Sequence, residues 1–188
     1  MNTMYDYYLE QPEVLNRIFK DRKEATERFV QKFCEVKPDR LYLIASGSSL
    51  NAALAAESFM EKQLGMEVCC AAASCLPTIY GEKPLMLFIS QGGNSTNTIA
   101  AIRALEAYDK LALTGMDVCH INEICDSMMI PCGEEKAGPK TKGYTATVLL
   151  LMLCALEAAN ACGIMRKADH EARLSEMQTA LAHLEESA

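Results

Sequence analysis

Apolar residues in the first 36 positions recur at helical spacing. Leu15, Ile18, Phe19, Phe29, Phe33 and Val36 alternate with charged positions in a 3.6-residue rhythm, so residues 4–36 are predicted to be helical. Pro12 suits a first helical turn, where an absent N–H leaves no bond unmade. Pro38 and Asp39 end the pattern. The period then changes. Residues 41–45 (LYLIA) form a short continuous apolar run, as expected of a strand buried on both faces.

The same alternation continues along the chain. Ser46-Gly47-Ser48-Ser49 stops the first strand, and a helical pattern over 50–64 follows, ended by Gly65. Residues 68–72 are a second strand, and Pro77, Gly81 and Pro84 mark a loop. Residues 85–89 are a third strand, stopping at SQGGNST before a helix over 95–107. A strand over 110–114, a short helix near Asn122 and a strand over 127–130 follow. Residues 131–143 read as a loop, 145–162 as a long helix and 169–185 as an amphipathic helix. Strands alternating with helices predict an α/β fold, a five-stranded parallel sheet with helices on both faces. The chain divides into a helical leader (1–36), an α/β domain (37–165) and a C-terminal helix (166–188).

Composition narrows the partners. Half of the residues are hydrophobic, which supplies a core, and the formal net charge is −7. That acidity argues against nucleic acid and anionic membranes. An anionic ligand stays open, because backbone N–H groups and hydroxyls bind phosphate without net positive charge. The start of the chain lacks a basic-then-apolar signal, and the apolar run over 146–159 is interrupted by Glu157 and too short to span a bilayer, so a cytoplasmic location is expected. The nine cysteines show no CxxC and no finger-like spacing with His. They read as reduced, mostly buried thiols, with no metal and no cofactor.

The chemistry concentrates in two turns. Ligands of an open parallel sheet bind beyond the carboxyl ends of its strands. Both hydroxyl-rich turns fall there, and each precedes a helix whose free N–H groups point outward. Gly47, Gly92 and Gly93 permit close backbone approach; Ser46, Ser48, Ser49, Ser90, Ser95 and Thr98 supply hydroxyls. The alternative is helix capping alone, for which Ser49 and Ser95 suit. Neither turn is a GxGxxG fingerprint or a P-loop. Glu57 and Glu61, one helical turn apart, read as a solvated face. His120 is left outside the site, and His170 and His183 read as exposed.

LYLIASGSSLNAA followed by LFISQGGNSTNT resembles the sugar isomerase (SIS) domain. The likeness is to the first SIS domain in the isomerase half of glucosamine-6-phosphate synthase and in related amino-sugar and fructosamine-phosphate deglycases. MYDYYLEQPEVL is similar to the leader of those proteins, and CGEEKAGPKTKGYTAT to the loop and helix start after their fifth strand. The resemblance implies a flavodoxin-like three-layer sandwich. It implies that Gly47, Ser48 and Ser49 line the sugar-phosphate site and that Ser90, Gln91 and Ser95 hold the phosphate. Gly92 stands where the family usually has Ser, and Asn94 where it often has Glu. Gly138 and Lys140 match sugar-contacting positions, Lys140 replacing a Ser; Lys142 and Thr145 match the helix start.

The family's reaction moves a proton between C1 and C2 of an open-chain sugar phosphate, with amine gain or loss. Glu135 is the one candidate general base named in this chain, and the reading of its loop as merely solvated stays beside it. The family's catalytic groups come from a second SIS domain. No second pair of turns occurs here, and the terminal helix resembles the linker between the two domains, so the chain reads either as the first half of such an enzyme, which the leader similarity favours, or as a domain that works alone as a homo-oligomer, like the single-SIS isomerases. A homodimer is expected from the apolar stripes of the terminal helices. The alternatives are a phosphosugar sensor module and a structural dimerisation domain.

Overall fold

The structure is a computed structural model that describes residues 3–136 and 140–187. Three helices replace the single helical stretch of the leader: α1 (Met4–Leu9), α2 (Gln11–Lys20) and α3 (Arg22–Val36). Thr3 and Asp6 form a reciprocal capping box on α1, and Pro12 sits in the first turn of α2. Lys37 ends α3 in the left-handed region, and the chain enters β1 (Arg40–Ala45). Then follow α4 (Gly47–Leu64), β2 (Glu67–Ala72), β3 (Pro84–Ser90), α5 (Thr96–Ala104), β4 (Asp109–Thr114), α6 (His120–Ile124), β5 (Ser127–Met129), α7 (Lys142–Ala161) and α8 (Lys167–Ser187).

All strand pairs are parallel, in the order β2-β1-β3-β4-β5. Alternation along β1 divides the core. Leu41, Leu43 and Ala45 face a layer that includes α2, α3, α4, α7 and α8; Tyr42 and Ile44 face α5 and α6. Helices therefore cover both faces, as the strand–helix alternation predicts. By length and composition α7 could cross a membrane, but 67% of its apolar window is buried inside the protein. It is the central helix of the larger layer, apolar all round because α2, α3 and α4 surround it.

Side chains of opposite charge cover the two sheet edges. At β2, Glu61 accepts from the Val68 N–H (3.1 Å) and Glu57 from the Cys70 N–H (2.9 Å). These carboxylates are thus edge caps and not the solvated face that their helical spacing suggests. At β5, Arg28 donates to the Ser127 carbonyl (2.9 Å) and Arg17 to the Pro131 carbonyl (3.2 Å). An uncovered edge would be a template for pairing with another chain.

Two further expectations are corrected. Cys34, in the last turn of α3, forms a disulfide with Cys162 just after α7, their Cα atoms 5.9 Å apart across 128 residues. Sequence spacing is blind to a pair that only tertiary folding brings together. The other seven cysteines are free thiols. Burial pushes the Cys125 thiol up to about 11 and raises Cys70 and Cys154 further, so these stay protonated. His170 is buried, not exposed. Its Nε2 lies 3.4 Å from Glu157 Oε1, and that oxygen accepts a hydrogen bond from Arg22 Nε at 3.0 Å.

Candidate functional site

Register places the two turns side by side. β1 and β3 are neighbours, with Ala45 paired to Ile89, so Ser46 and Ser90 leave the sheet at one level. The chain from β1 passes into α4 on one face, and that from β3 into α5 on the other. This is the switch point of a doubly wound sheet, where the two connections diverge and open a crevice.

The first turn is shorter than expected, because α4 begins at Gly47 and not near Leu50. Ser46 takes the N-cap position, correcting the assignment of Ser49, and makes no side-chain capping bond. Gly47 has φ +57° with open space around it, so backbone conformation and not crowding requires glycine here. Ser48 and Ser49 lie in the first turn of α4, half-buried.

The second turn is tied down from several sides. Gly93 N–H donates to the Ser90 carbonyl (2.9 Å), and Gly115 N–H to the Gln91 carbonyl (2.8 Å). Asn94 Oδ1 accepts from the His120 N–H (3.0 Å), and the Gly93 carbonyl from Ile121 N–H (3.1 Å). The sequence reading left His120 outside the site; its backbone braces the turn, though its ring lies beside Arg103 at 3.5 Å. Ser95 caps α5 as expected, accepting from the Thr98 N–H at 3.4 Å. Ser90 is buried, Gly92 is exposed, and Thr98 Oγ1 is buried without a hydrogen-bond partner.

Gln91 reaches toward α7. Its Nε2 donates to Cys132 Sγ (3.1 Å), and its side chain fills a slot that exists only because Gly143 has no side chain. A Cβ there would stand 1.7 Å from Gln91 Nε2. Burial raises the Cys132 thiol above its ordinary value, only partly offset by the Gln91 bond, so it is a neutral acceptor here. Sequence reasoning missed Cys132 and Gly143 as partners of the turn. The similarity of the segment containing them was the available signal.

The loop before α7 is organised by Glu135. Its carboxylate accepts from Thr141 N–H (2.7 Å), Thr141 Oγ1 (2.7 Å) and Gly143 N–H (3.0 Å). Lys140 Nζ donates to the Glu135 carbonyl. Lys142 is buried, paired with Glu10 and lying over the Tyr7 ring, while Tyr7 Oη accepts from Lys136 N–H at 3.1 Å. The leader thus holds the loop in place. A carboxylate bound by three donors at a helix start serves as a cap, so the geometry gives Glu135 a positioning role. Gly138 lies outside the described residues.

Charge placement distinguishes this crevice. Among the described helices, α1, α2, α3, α6 and α8 carry an acidic residue in the first turn: Asp6, Glu13, Glu24, Glu123 and Asp169. The helices that start at the crevice, α4, α5 and α7, carry none. Glu135 serves α7 from the preceding loop, which leaves α4 and α5 as positive helix ends with no carboxylate in their first turns.

No family model matches the sequence. The chain is 30% identical over 173 residues to the glutamine–fructose-6-phosphate aminotransferase (isomerizing) of Chlamydia trachomatis, a match covering 83% of this chain and 28% of that protein. Among solved structures, a protein named as a phosphosugar isomerase from Clostridium difficile 630 superposes with a TM-score of 0.87 at 25% identity, over 97% of this chain and 53% of that one. A protein named as sugar binding from Salmonella typhimurium LT2 gives 0.84 at 29% identity, over 97% and 57%. The chain therefore spans little more than a quarter of the curated relative and about half of each solved chain. With strand order, turn placement and these likenesses in agreement, the findings support a sugar isomerase (SIS) domain related to the glutamine–fructose-6-phosphate aminotransferases.

Proposed function

We propose that the crevice between the two turns binds a sugar phosphate, a hexose or amino-hexose 6-phosphate. The observation that carries this reading is the pair of helix N-termini, α4 and α5, with no acid in the first turn in a chain of net charge −7. Acidic residues stabilise helix N-termini, and their omission at this edge leaves N–H groups and hydroxyls for an anion. Ser90, Gln91, Gly92 and Ser95 form the phosphate side; Gly47, Ser48 and Ser49 form the sugar side. Lys140, in the loop before α7, borders the sugar. The relatives named above are consistent in kind with such a ligand.

The domain acts as one half of a sugar-phosphate isomerase, aminotransferase or deglycase working on amino-sugar or fructosamine phosphates, as a cytoplasmic homodimer. Coverage of about half of the solved chains supports the half-enzyme reading. Among the described residues the crevice offers a phosphate grip and no free general base, so the chemistry falls to groups outside it. The second reading, a phosphosugar-sensing module, is favoured by that same lack.

Thermal shift tests the binding claim. Fructose 6-phosphate and glucosamine 6-phosphate are expected to raise the melting temperature, and free fructose to leave it unchanged. No shift with any phosphosugar would overturn the proposal.

A further inference from the structure

We propose that the Cys34–Cys162 disulfide is a redox latch that holds the α7–α8 joint and α8 against the N-terminal helices, and that a dithiol reductant opens it. The inference is independent of the phosphosugar site.

Three observations converge on one junction. Cys162 follows α7 directly and is solvent-exposed, whereas Cys34 is half-buried in α3. The joint continues through Gly163, at φ +69°, with Ile164 and Met165 N–H groups both directed to the Ala159 carbonyl (2.8 and 3.0 Å). One helical turn and a half before Cys162, Glu157 collects Arg22 of α3 and His170 of α8. The α3–α7–α8 junction therefore holds a covalent tie at the exposed rim and, in the interior, the Arg22–Glu157 ion pair with His170 Nε2 3.4 Å from the same carboxylate. Beyond these ties α8 is anchored by Leu174, Met177 and Leu181, whose neighbours on the helix are largely exposed.

Accessibility makes the covalent tie reversible. A thiolate of the reductant attacks the exposed Cys162 sulfur, the S–S bond breaks and Cys34 leaves as a thiolate. The reductant's second thiolate then attacks the mixed disulfide, releasing Cys162 and closing the reductant into its own disulfide. Two electrons pass to the protein, and the two cysteine sulfurs take up protons. Exchange with an oxidised disulfide runs the sequence backward. The seven other cysteines are free thiols, and burial holds Cys125 and Cys154 protonated, so Cys34–Cys162 is the disulfide that a reductant meets.

The test combines thiol counting with hydrogen exchange on the full chain. After equilibration with oxidised glutathione, denaturing thiol titration is expected to find at most seven free thiols, rising to nine with dithiothreitol. Reduction is expected to speed exchange in α8 by about tenfold or more, leave α4 unchanged and lower the melting temperature by roughly 5–15 °C. In exchange and melting, Cys34→Ser and Cys162→Ser should each match the reduced protein with or without dithiothreitol, and Cys75→Ser should match the wild type, each variant carrying one thiol fewer. Nine reactive thiols after glutathione treatment, α8 protection that survives reduction, or a Cys34→Ser protein as protected as the oxidised wild type would each overturn the latch.

Discussion

The two turns at the switch point have similar composition and different construction. The turn after β1 is one N-cap serine and a left-handed glycine feeding straight into α4, with no side-chain capping bond. The turn after β3 is bonded to the start of α6, to the residue after β4 and, through Gln91, to the segment around α7. A binding group acts best when its position is fixed before the ligand arrives, because ordering it on binding subtracts from affinity. The difference fits the proposed roles, the braced turn for the charged phosphate and the sparsely anchored turn for the more variable sugar.

That contrast can be broken most strongly at the braced turn. Ser90→Ala with Ser95→Ala should weaken fructose 6-phosphate binding by about 100-fold or more, as hydrogen bonds to a charged ligand contribute about 1.5–3 kcal/mol each. Calorimetry would check this, with a stability loss near ~1 kcal/mol for the missing cap. Gly143→Ala should follow. Its Cβ displaces Gln91, so the fold loses about 1–3 kcal/mol in urea titration and binding falls about tenfold.

Smaller effects sharpen the comparison. Ser48→Ala with Ser49→Ala should change phosphate affinity only about threefold, on the order of 0.5–1 kcal/mol, while altering preference among sugars, read by competition calorimetry. Gly92→Ser should tighten phosphate binding by a few-fold, roughly one added hydrogen bond. Gly92 has open space for a Cβ and no left-handed φ, so the added hydroxyl is accommodated without strain. Asp39, just before β1 at the opposite end of the strands, is the control. Bonds from the Glu82 and then the Lys83 N–H hold its carboxyl below the ordinary carboxylate value. Its stabilising effect is present above the unfolded-state value and lost as pH falls through the folded one. Asp39→Asn should therefore flatten the acid limb of the melting curve slightly and leave ligand binding unchanged.

Most of the fold was legible because each strand is a short apolar run bounded by Gly, Ser or Pro, and each helix has a distinct period. The leader was less legible. Its helical rhythm continues through Glu10 and Asp21, where the chain breaks into three helices; Pro12 marks the first joint, but neither Pro nor Gly marks the second. Helix starts were also misplaced. At α4, Gly47 and two serines are weak helix formers, yet they complete a turn anchored by strand register. The site was legible at its hydroxyls and opaque at its bracing. Gln91 pointing at Cys132, Asn94 accepting from His120, and Tyr7 and Glu10 holding the α7 loop are contacts across 26 to 132 residues. Such pairs carry no local periodicity. The same holds for Cys34 with Cys162 and for the buried His170.

Amide chemical-shift mapping during a titration with fructose 6-phosphate addresses the central claim most directly. Saturable shifts centred on Gly92, Ser95 and Thr96, with smaller ones at Gly47–Ser49 and none for free fructose, are the predicted result. Shifts confined to another surface, such as the groove between α3 and β5, or equal shifts with free fructose, would contradict it.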